Sequence, residues 1–377
     1  MEFDIFFSIC QTEVHGTMPD EATMFRNFFE QVELADALGF GTAWVAESHL
    51  STEVQKMNPG AVIPHFVGEI GLNTDILQLA HRVFARTKRI GVGSAIMNIL
   101  CNGGPIAAAE RIKTFLALHG LDPEEKRLLT IGFASGRFPF INIPYGIVAR
   151  DDFEKAHWPA VKNNIFEEAT EIFLRLLRGD VLSSDMVAPR TIDEVRIAPR
   201  WVFPKLKIVP QEPRMDLLRL SIGSHDPHLQ AFANTILPVG VFNLSITPGE
   251  EIEKTNERMV TAYQGTWHRR LMPRTVLVFI NDDPARAAEE ARDALTNYWR
   301  ALEGTLDEEK VRKATSNALI GDAAAIAAQM RDRFHSEDRL MLWFDFNNHD
   351  SKRVMKNMSD FMTQVAPFWS AAAMPPL

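Results

Sequence analysis

The sequence predicts an α/β fold, namely a (β/α)8 TIM barrel with an insertion after strand four. Short apolar runs of β type alternate with longer segments of helical periodicity along the whole chain. This alternation indicates parallel βα units. About eight such units in one chain are typical of a barrel. We therefore expect a single domain over 1–377, with its chemistry at the C-terminal ends of the strands.

The composition predicts a soluble protein of a reducing compartment. The chain has 377 residues, of which 46% are hydrophobic, and its formal net charge of −9 argues against a nucleic-acid partner. Its two cysteines, Cys10 and Cys101, form no CxxC pair and no zinc-ligand spacing. The first residues lack the basic segment of a signal peptide, and no apolar stretch reaches the ~20 residues that cross a bilayer. We expect a cytoplasmic protein without a metal ion or a membrane partner.

The first four strands are predicted from apolar runs and from the residues that end them. Strand one covers 3–9, and the helix after it keeps its apolar residues at a 3.6-residue spacing until Gly39 ends it. The remaining elements of this half are strands at 41–46, 89–97 and 128–134 and helices at 73–86 and 105–118.

The segment 137–205 interrupts the alternation and is predicted to be an insertion. It is rich in Pro, Asp and Arg and contains one clear helix, 161–177. Long insertions in such barrels often cover the active site, so we interpret this segment as a lid. The alternation resumes with strands at 218–223, 241–246, 275–280 and 339–346 and helices at 284–302, 323–334 and 351–369.

Candidate functional residues follow the predicted strands. His49 comes just after strand two, and a neutral imidazole can donate to a carbonyl or carry a proton near neutral pH. Glu47 could act as a base or bond to nearby backbone, and we favour the structural role for it, whereas for His49 both a functional and a structural role stay open. Gly223-Ser224-His225 ends strand five with small and polar groups that could hold a phosphate.

Cys10 and Asp345 also lie at strand ends. We favour a small buried thiol for Cys10, because a reactive thiolate needs a cationic neighbour. Asp345 interrupts an aromatic run, and a carboxylate among apolar residues is either paired or functional. The sequence has no G-x-S-x-G nucleophile elbow, no dinucleotide fingerprint and no metal-ligand cluster.

Five segments occur in an order and spacing that together are characteristic. They are Gly39–His49, Val92–Ile96, Gly104–Arg111, Ile131–Arg137 and Gly321–Asp322 with the helix after it. These segments resemble the bacterial luciferase-like flavin monooxygenases, in which the first usually ends Glu-His-His. The similarity covers nearly the whole chain and is closest to the alkanal monooxygenase branch.

The resemblance implies a (β/α)8 barrel, usually a homodimer, that binds reduced FMN (FMNH2) at the strand ends. In this family O2 adds to the flavin to give a C4a-peroxyflavin, which oxidises a small or medium-sized organic substrate. A separate flavin reductase supplies the reduced flavin in most members. The protein then excludes water and holds the reactants together.

The resemblance also implies positions for the cofactor and the substrate. The cofactor-binding positions are Ser94, Ala95, Ala134, Ser135, Gly223, Ser224 and His225. Ser94 and Ala95 would lie against the isoalloxazine, where family members often have a non-proline cis peptide bond. Ala134 takes the place of a reactive cysteine. Ser8 and Cys10 would border the substrate.

Two positions depart from the family pattern. Ser48, between Glu47 and His49, replaces the first His of the tandem pair, which argues against light emission by that route. Ser135 replaces an arginine that binds the phosphate, and Arg137 or Arg150 could substitute for it. Two alternatives therefore stay open: an F420-dependent hydride-transfer oxidoreductase on the same barrel, and a non-catalytic flavin-binding relative.

Overall fold

Strands and the helices between them make up most of the structure, a computed structural model that describes residues 1–58, 65–136, 138–263, 265–303 and 318–369. The strands are β1 Glu2–Phe7, β2 Gln11–Thr12, β3 Thr42–Val45, β4 Gly68–Glu69, β5 Gly91–Asn98, β6 Leu129–Ala134, β7 Arg190–Ile192, β8 Val195–Ile197, β9 Leu218–Ile222, β10 Gly240–Val241, β11 Arg274–Ile280, β12 Leu319–Gly321 and β13 Arg339–Trp343. The helices are α1 Glu21–Leu38, α2 Thr52–Gln55, α3 Ile76–Phe84, α4 Gly104–His119, α5 Pro139–Asn142, α6 Asp152–Ala156, α7 Trp158–Arg178, α8 Pro227–Ile236, α9 Gly249–Ala262, α10 Pro284–Leu302, α11 Ala323–Arg333 and α12 Ser351–Asp360.

The chain divides into two compact units. The first contains Met1–Ser94 and Phe242–Leu377, and the second contains Ala95–Val241. In the first unit, parallel strands pair in the order β5, β3, β1, β13, β11, β12. In the second unit, β10, β9 and β6 pair in parallel. The α/β class and the parallel βα units are therefore as predicted.

A buried carboxylate joins three strands of the first unit near their N-terminal ends. Asp4 on β1 is 1% exposed. It accepts hydrogen bonds from Thr42 N (2.9 Å) and Trp44 Nε1 (2.7 Å) on β3, and from Arg339 Nε (2.5 Å) on β13. A buried charge is tolerated only when it is paired and hydrogen-bonded. These bonds hold β1 between β3 and β13.

Helix α7 lies inside the segment predicted as an insertion, and it begins three residues before the predicted helix. Its inner face is fully buried, as Val161 and Ile172 show, and Gly179 ends it in the left-handed conformation (φ 102°). Its Phe173 ring lies 5.2 Å from the ring of Phe133 on β6. This helix is therefore part of the packed layer of the second unit, and the lid interpretation concerns only 138–157 and 180–205.

Several elements differ from the prediction, among them helix α8, which the sequence analysis did not predict. The sequence analysis missed α9, because only Ile252, Thr255 and Met259 of this polar helix are buried and they form too narrow an apolar stripe. It also missed β12, which is only three residues long. The last predicted helix, 351–369, is α-helical only to Asp360 and then changes to π-helical and 3-10 turns, because Pro367 cannot donate an α-helical hydrogen bond.

Candidate active site

Glu47 and His49 form a buried pair just after β3. His49 Nε2 lies 3.2 Å from Glu47 Oε1, and the two side chains are 9% and 4% exposed. The other carboxylate oxygen, Oε2, accepts a hydrogen bond from the backbone N–H of Ile76, the first residue of α3 (3.4 Å). When His49 Nε2 donates to Glu47, Nδ1 is the ring nitrogen that can take up a proton. Glu47 thus orients the His49 ring.

The backbone is strained beside both β1 and β3. Ile9 has a φ of 42° and Leu50 a φ of 63°. Bulky L-residues avoid this left-handed region, since it costs about 1–2 kcal/mol per residue. The conformation of Ile9 is supported by its carbonyl, which accepts a hydrogen bond from Leu72 N (2.9 Å). Such strain often accumulates at functional sites.

Ser48 carries a buried hydroxyl that has no hydrogen-bond partner in the described residues. Its backbone N–H donates to Asn73 O (3.0 Å). Gly71, in the left-handed region (φ 71°), lies against it, and a Cβ on Gly71 would be 3.4 Å from the Ser48 Cβ. A buried polar atom without a partner costs about 1–3 kcal/mol. The Ser48 hydroxyl therefore marks a place where a bound molecule can supply the missing hydrogen bond.

Asp345, just past β13, is bound to Ser8, just past β1. Its Oδ2 accepts hydrogen bonds from Ser8 N (3.2 Å) and Ser8 Oγ (3.1 Å), whereas Oδ1 is buried and has no partner among the described residues. Burial raises the pKa of Asp345 to about 6. Burial likewise raises the pKa of the Cys10 thiol to about 12. Cys10 is therefore a neutral thiol near pH 7, as the sequence analysis favoured.

The small residues on β5 face opposite sides of the sheet. A Cβ on Gly93 would lie 2.6 Å from the Trp44 indole, so Gly93 faces that ring. Because side chains alternate along a strand, Ala95 shares the face of Gly93 and Ser94 points to the other face. The peptide bond between Ala95 and Ile96 is cis, next to where the resemblance places such a bond.

Small residues also end β6 and β9 in the second unit. A Cβ on Gly223 would lie 3.3 Å from the Ala134 Cβ and 2.5 Å from Ile96 Cδ1. A methyl group at position 223 would therefore require the end of the Ile96 side chain to move and Ala134 to shift slightly. Ala134 and Gly223 are thus neighbouring small residues at the ends of β6 and β9, and Ile96 lies against Gly223.

An amide chain fixes the backbone of Ser135. Asn142 Nδ2 donates to Ser135 O (2.8 Å), and Asn98 Nδ2 donates to Asn142 Oδ1 (2.7 Å). The sequence analysis missed both asparagines, because their pairing over 44 residues leaves no local pattern. The chain of amides ties α5 to the C-terminal ends of β5 and β6.

The segment after β9 is less open to a phosphate than predicted. Ser224 Oγ accepts a hydrogen bond from Asp226 N (3.2 Å), and Gln230 Nε2 donates to Ser224 O (2.6 Å). Asp226, which follows the half-buried His225, is the N-cap of α8 and accepts from His228 N (2.9 Å). A carboxylate therefore already occupies the positive end of this helix.

Arg150, one of the two residues that could substitute for the phosphate arginine, already has protein partners. Its Nη2 binds Glu154 Oε1 and Ala198 O, both at 2.6 Å. Arg137, the other alternative, lies outside the described residues. Over the described ranges, no group of three His, Cys, Asp or Glu side chains is arranged to hold a metal ion. No helix there combines the length and the apolar character that crossing a membrane requires.

A family model described as "Luciferase-like monooxygenase" matches residues 1–340. The chain belongs to the luciferase-like monooxygenase family. The recognition from five segments is thereby confirmed, and so is the (β/α)8 TIM barrel class. No curated protein sequence matches this luciferase-like chain.

Solved structures similar to this luciferase-like chain span almost its full length. The monooxygenase RslO1 from Streptomyces bottropensis is 17% identical, with a TM-score of 0.70 over 98% of this chain and 100% of that one. The oxygenating constituent of 3,6-diketocamphane monooxygenase from Pseudomonas putida, a type II Baeyer-Villiger monooxygenase in complex with FMN, is 12% identical (TM-score 0.62, 100% and 99% covered). An F420-dependent secondary alcohol dehydrogenase is 13% identical (TM-score 0.60, 97% and 98% covered). At these identities the similarity shows the fold alone.

Proposed function

We propose that this chain is a flavin-dependent monooxygenase that uses reduced FMN and O2 to oxidise a small or medium-sized organic molecule. The buried Glu47–His49 pair carries the proposal (Nε2 to Oε1, 3.2 Å). Monooxygenation requires a group that moves protons where water is excluded, and a carboxylate-bound imidazole meets that need. Membership of the luciferase-like monooxygenase family supports the assignment.

The residues present fit a flavin. Ala95, Ala134 and Gly223, all in the second unit, offer small contacts for the ring. The Ser224 hydroxyl accepts from Asp226 N and can still donate its own hydrogen. When bound, the reduced flavin supplies the electrons that activate O2.

We assign the proton-handling step to the His49 imidazole, with Glu47 holding the ring and stabilising its protonated form. Asp345 is a neutral carboxyl below its raised pKa of about 6, so its buried end can donate a hydrogen bond to a substrate oxygen. Ser8 fixes the other end of this carboxyl. His49 and Asp345 thus provide two polar groups, an imidazole and a carboxyl, at strand ends of the first unit.

Four further features belong to the proposal. A separate reductase supplies the reduced flavin, the chain forms a homodimer in the cytoplasm, and it acts as one domain. The segments 138–157 and 180–205 cover the bound reactants. Arg150 supports this cover, because it ties the Ala198 carbonyl to Glu154.

The second candidate is F420-dependent hydride transfer. It is favoured by Ser135, which replaces the phosphate arginine, and by the Asp226 carboxylate at the start of α8. Both features weaken the site where the resemblance places the FMN phosphate. In this reaction no O2 is consumed. A non-catalytic flavin-binding relative is the third possibility, and it predicts flavin binding without turnover.

The test is anaerobic mixing of the protein with reduced FMN or reduced F420, followed by exposure to O2 in a stopped-flow spectrometer. The monooxygenase proposal predicts binding of reduced FMN and slower flavin reoxidation than in free solution. Binding of F420 without O2 consumption would replace it by hydride transfer. Binding of neither cofactor would refute both.

A further inference from the structure

A cavity of about 300 Å³ lies in the second unit, between α5 and the start of α7. Its apolar wall includes Ile143, Ile147 and Trp158, and two lysines also line it, the exposed Lys155 and the half-buried Lys162. The volume is at the lower end of the range for small-molecule pockets. A cavity with an apolar wall and paired positive charge fits an anion that carries an apolar body.

The two lysines are available to an anion. Within the described part of the chain, neither ammonium has a hydrogen bond or an ion pair. Nearby cations do have carboxylate partners, since Arg150 and Arg200 both bind Glu154 (2.6 and 3.1 Å). The 21-residue helix α7 begins at Trp158, and its first turn has no side-chain cap. The positive end of its dipole adds to the two lysine charges.

The cavity is joined to the C-terminal end of β6. Asn142 lines the cavity and also donates to Ser135 O (2.8 Å). Lys162 lies on the same helix as Glu167, five residues or about 7.5 Å further along the axis, and Glu167 Oε2 lies 3.6 Å from His228 Nε2 in the first turn of α8. Asn142 thus connects the cavity to the end of β6, and Glu167 connects the helix of Lys162 to the first turn of α8.

We propose that this cavity binds the anionic group, a phosphate or a carboxylate, of a small molecule bound at the ends of β6 and β9, with Lys155 and Lys162 as its cations. The proposal rests on the proposed function in one respect, namely that a flavin or its substrate occupies those strand ends. Lys155 and Lys162 would supply the positive charge that is missing at Ser135, where the family resemblance expects an arginine. The anionic group belongs either to the flavin phosphate or to an acidic organic substrate, and the experiment separates these two sources.

The experiment compares the full-length protein with the double variant Lys155→Gln/Lys162→Gln. The control, Lys126→Gln/Lys352→Gln, removes two exposed lysine charges elsewhere. Reduced FMN and reduced riboflavin, which differ by the phosphate, are titrated anaerobically, and quenching of tryptophan fluorescence is measured. Octanoate and its neutral counterpart octanamide are titrated by calorimetry. A Trp158→Phe variant shows whether the fluorescence signal comes from the cavity wall.

If the flavin phosphate is the anion, the double variant should lose at least about tenfold in FMN affinity, equivalent to 1.4 kcal/mol, and riboflavin affinity should stay unchanged. If the anion belongs to the substrate, octanoate binding should fall by a similar factor and octanamide binding should not. Either pattern, absent in the control, supports the proposal. Equal affinities of the double variant and the control for all four probes would overturn it. Failure of the wild type to bind either flavin would instead refute the proposed function, and the octanoate titration would still test the cavity.

Discussion

Replacing Asp345 by asparagine should change how the free energy of unfolding depends on pH. Burial raises the pKa of this carboxyl from 3.8 to about 6 in the folded protein. Between these two values the unfolded chain releases a proton that the folded chain retains. The wild type therefore loses stability as the pH rises from about 4 to about 6, by up to about 3 kcal/mol.

The asparagine variant cannot lose that proton. Its amide oxygen can accept the bonds from Ser8 N and Oγ as Oδ2 does now. We expect its free energy of unfolding, relative to that of the wild type, to rise by up to about 3 kcal/mol between pH 4 and pH 7. The measurement is urea unfolding followed by tryptophan fluorescence at one-unit pH steps and constant ionic strength.

The matched control is Asp332→Asn, which removes an exposed carboxylate from α11. The difference in stability between this variant and the wild type should stay nearly constant over the same pH range. Parallel pH profiles for Asp345→Asn and the wild type would refute the reasoning. They would mean that water or a rearranged partner solvates Oδ1 in the folded protein.

Three further predictions concern His49, Arg150 and Gly93. His49→Ala should lower turnover by about 100-fold or more and change reduced-flavin affinity far less, as single-turnover kinetics and equilibrium titration will show. Arg150→Gln should increase the release of hydrogen peroxide relative to product. The reason is that the two cover segments lose the link that Arg150 makes between Glu154 and the Ala198 carbonyl. A coupled peroxide assay measures this ratio. Gly93→Ala should destabilise the fold by about 1–3 kcal/mol in denaturant titrations, because the added methyl group would lie 2.6 Å from the Trp44 ring.

Each prediction has an outcome that contradicts it. Equal losses of turnover and flavin affinity would make His49 a binding residue. Arg196→Gln removes an exposed arginine from the cover segment 180–205. An equal rise in peroxide with this control would show that the effect does not depend on the contacts of Arg150. Gly249→Ala places a methyl group 3.6 Å from the end of the Arg274 side chain. A loss of stability as large as that for Gly93→Ala would refute the packing argument.

The sequence predicts the fold well wherever apolar periodicity is strong. Helix α1 ends, as predicted, at Gly39, which is in the left-handed conformation. Strand β10 is shorter than the predicted 241–246, because past Val241 only Asn243 continues the pairing, with Arg274. Propensity alone does not indicate where pairing stops, because that depends on the neighbouring strand.

The candidate site could be predicted only in part. Glu47 and His49 were found because they follow a strand and are close in sequence. The Ser8 bonds of Asp345 span 337 residues and leave no local signal. The roles of Lys155 and Lys162 were also hidden, because the availability of a charge depends on which carboxylates fold near it.

The three bonds of Asp4 have a consequence for the order in which the chain can fold. A ribosome makes β1 and β3 early, but the arginine that neutralises Asp4 is made more than 300 residues later. Until Arg339 emerges, burying this carboxylate leaves it without its cation, and an unpaired buried charge is strongly destabilising. The first unit therefore cannot complete its core during early synthesis, whereas the continuous second unit, Ala95–Val241, has no such requirement. During synthesis, the second unit should therefore fold before the strands β1 and β3 are buried in the core of the first unit.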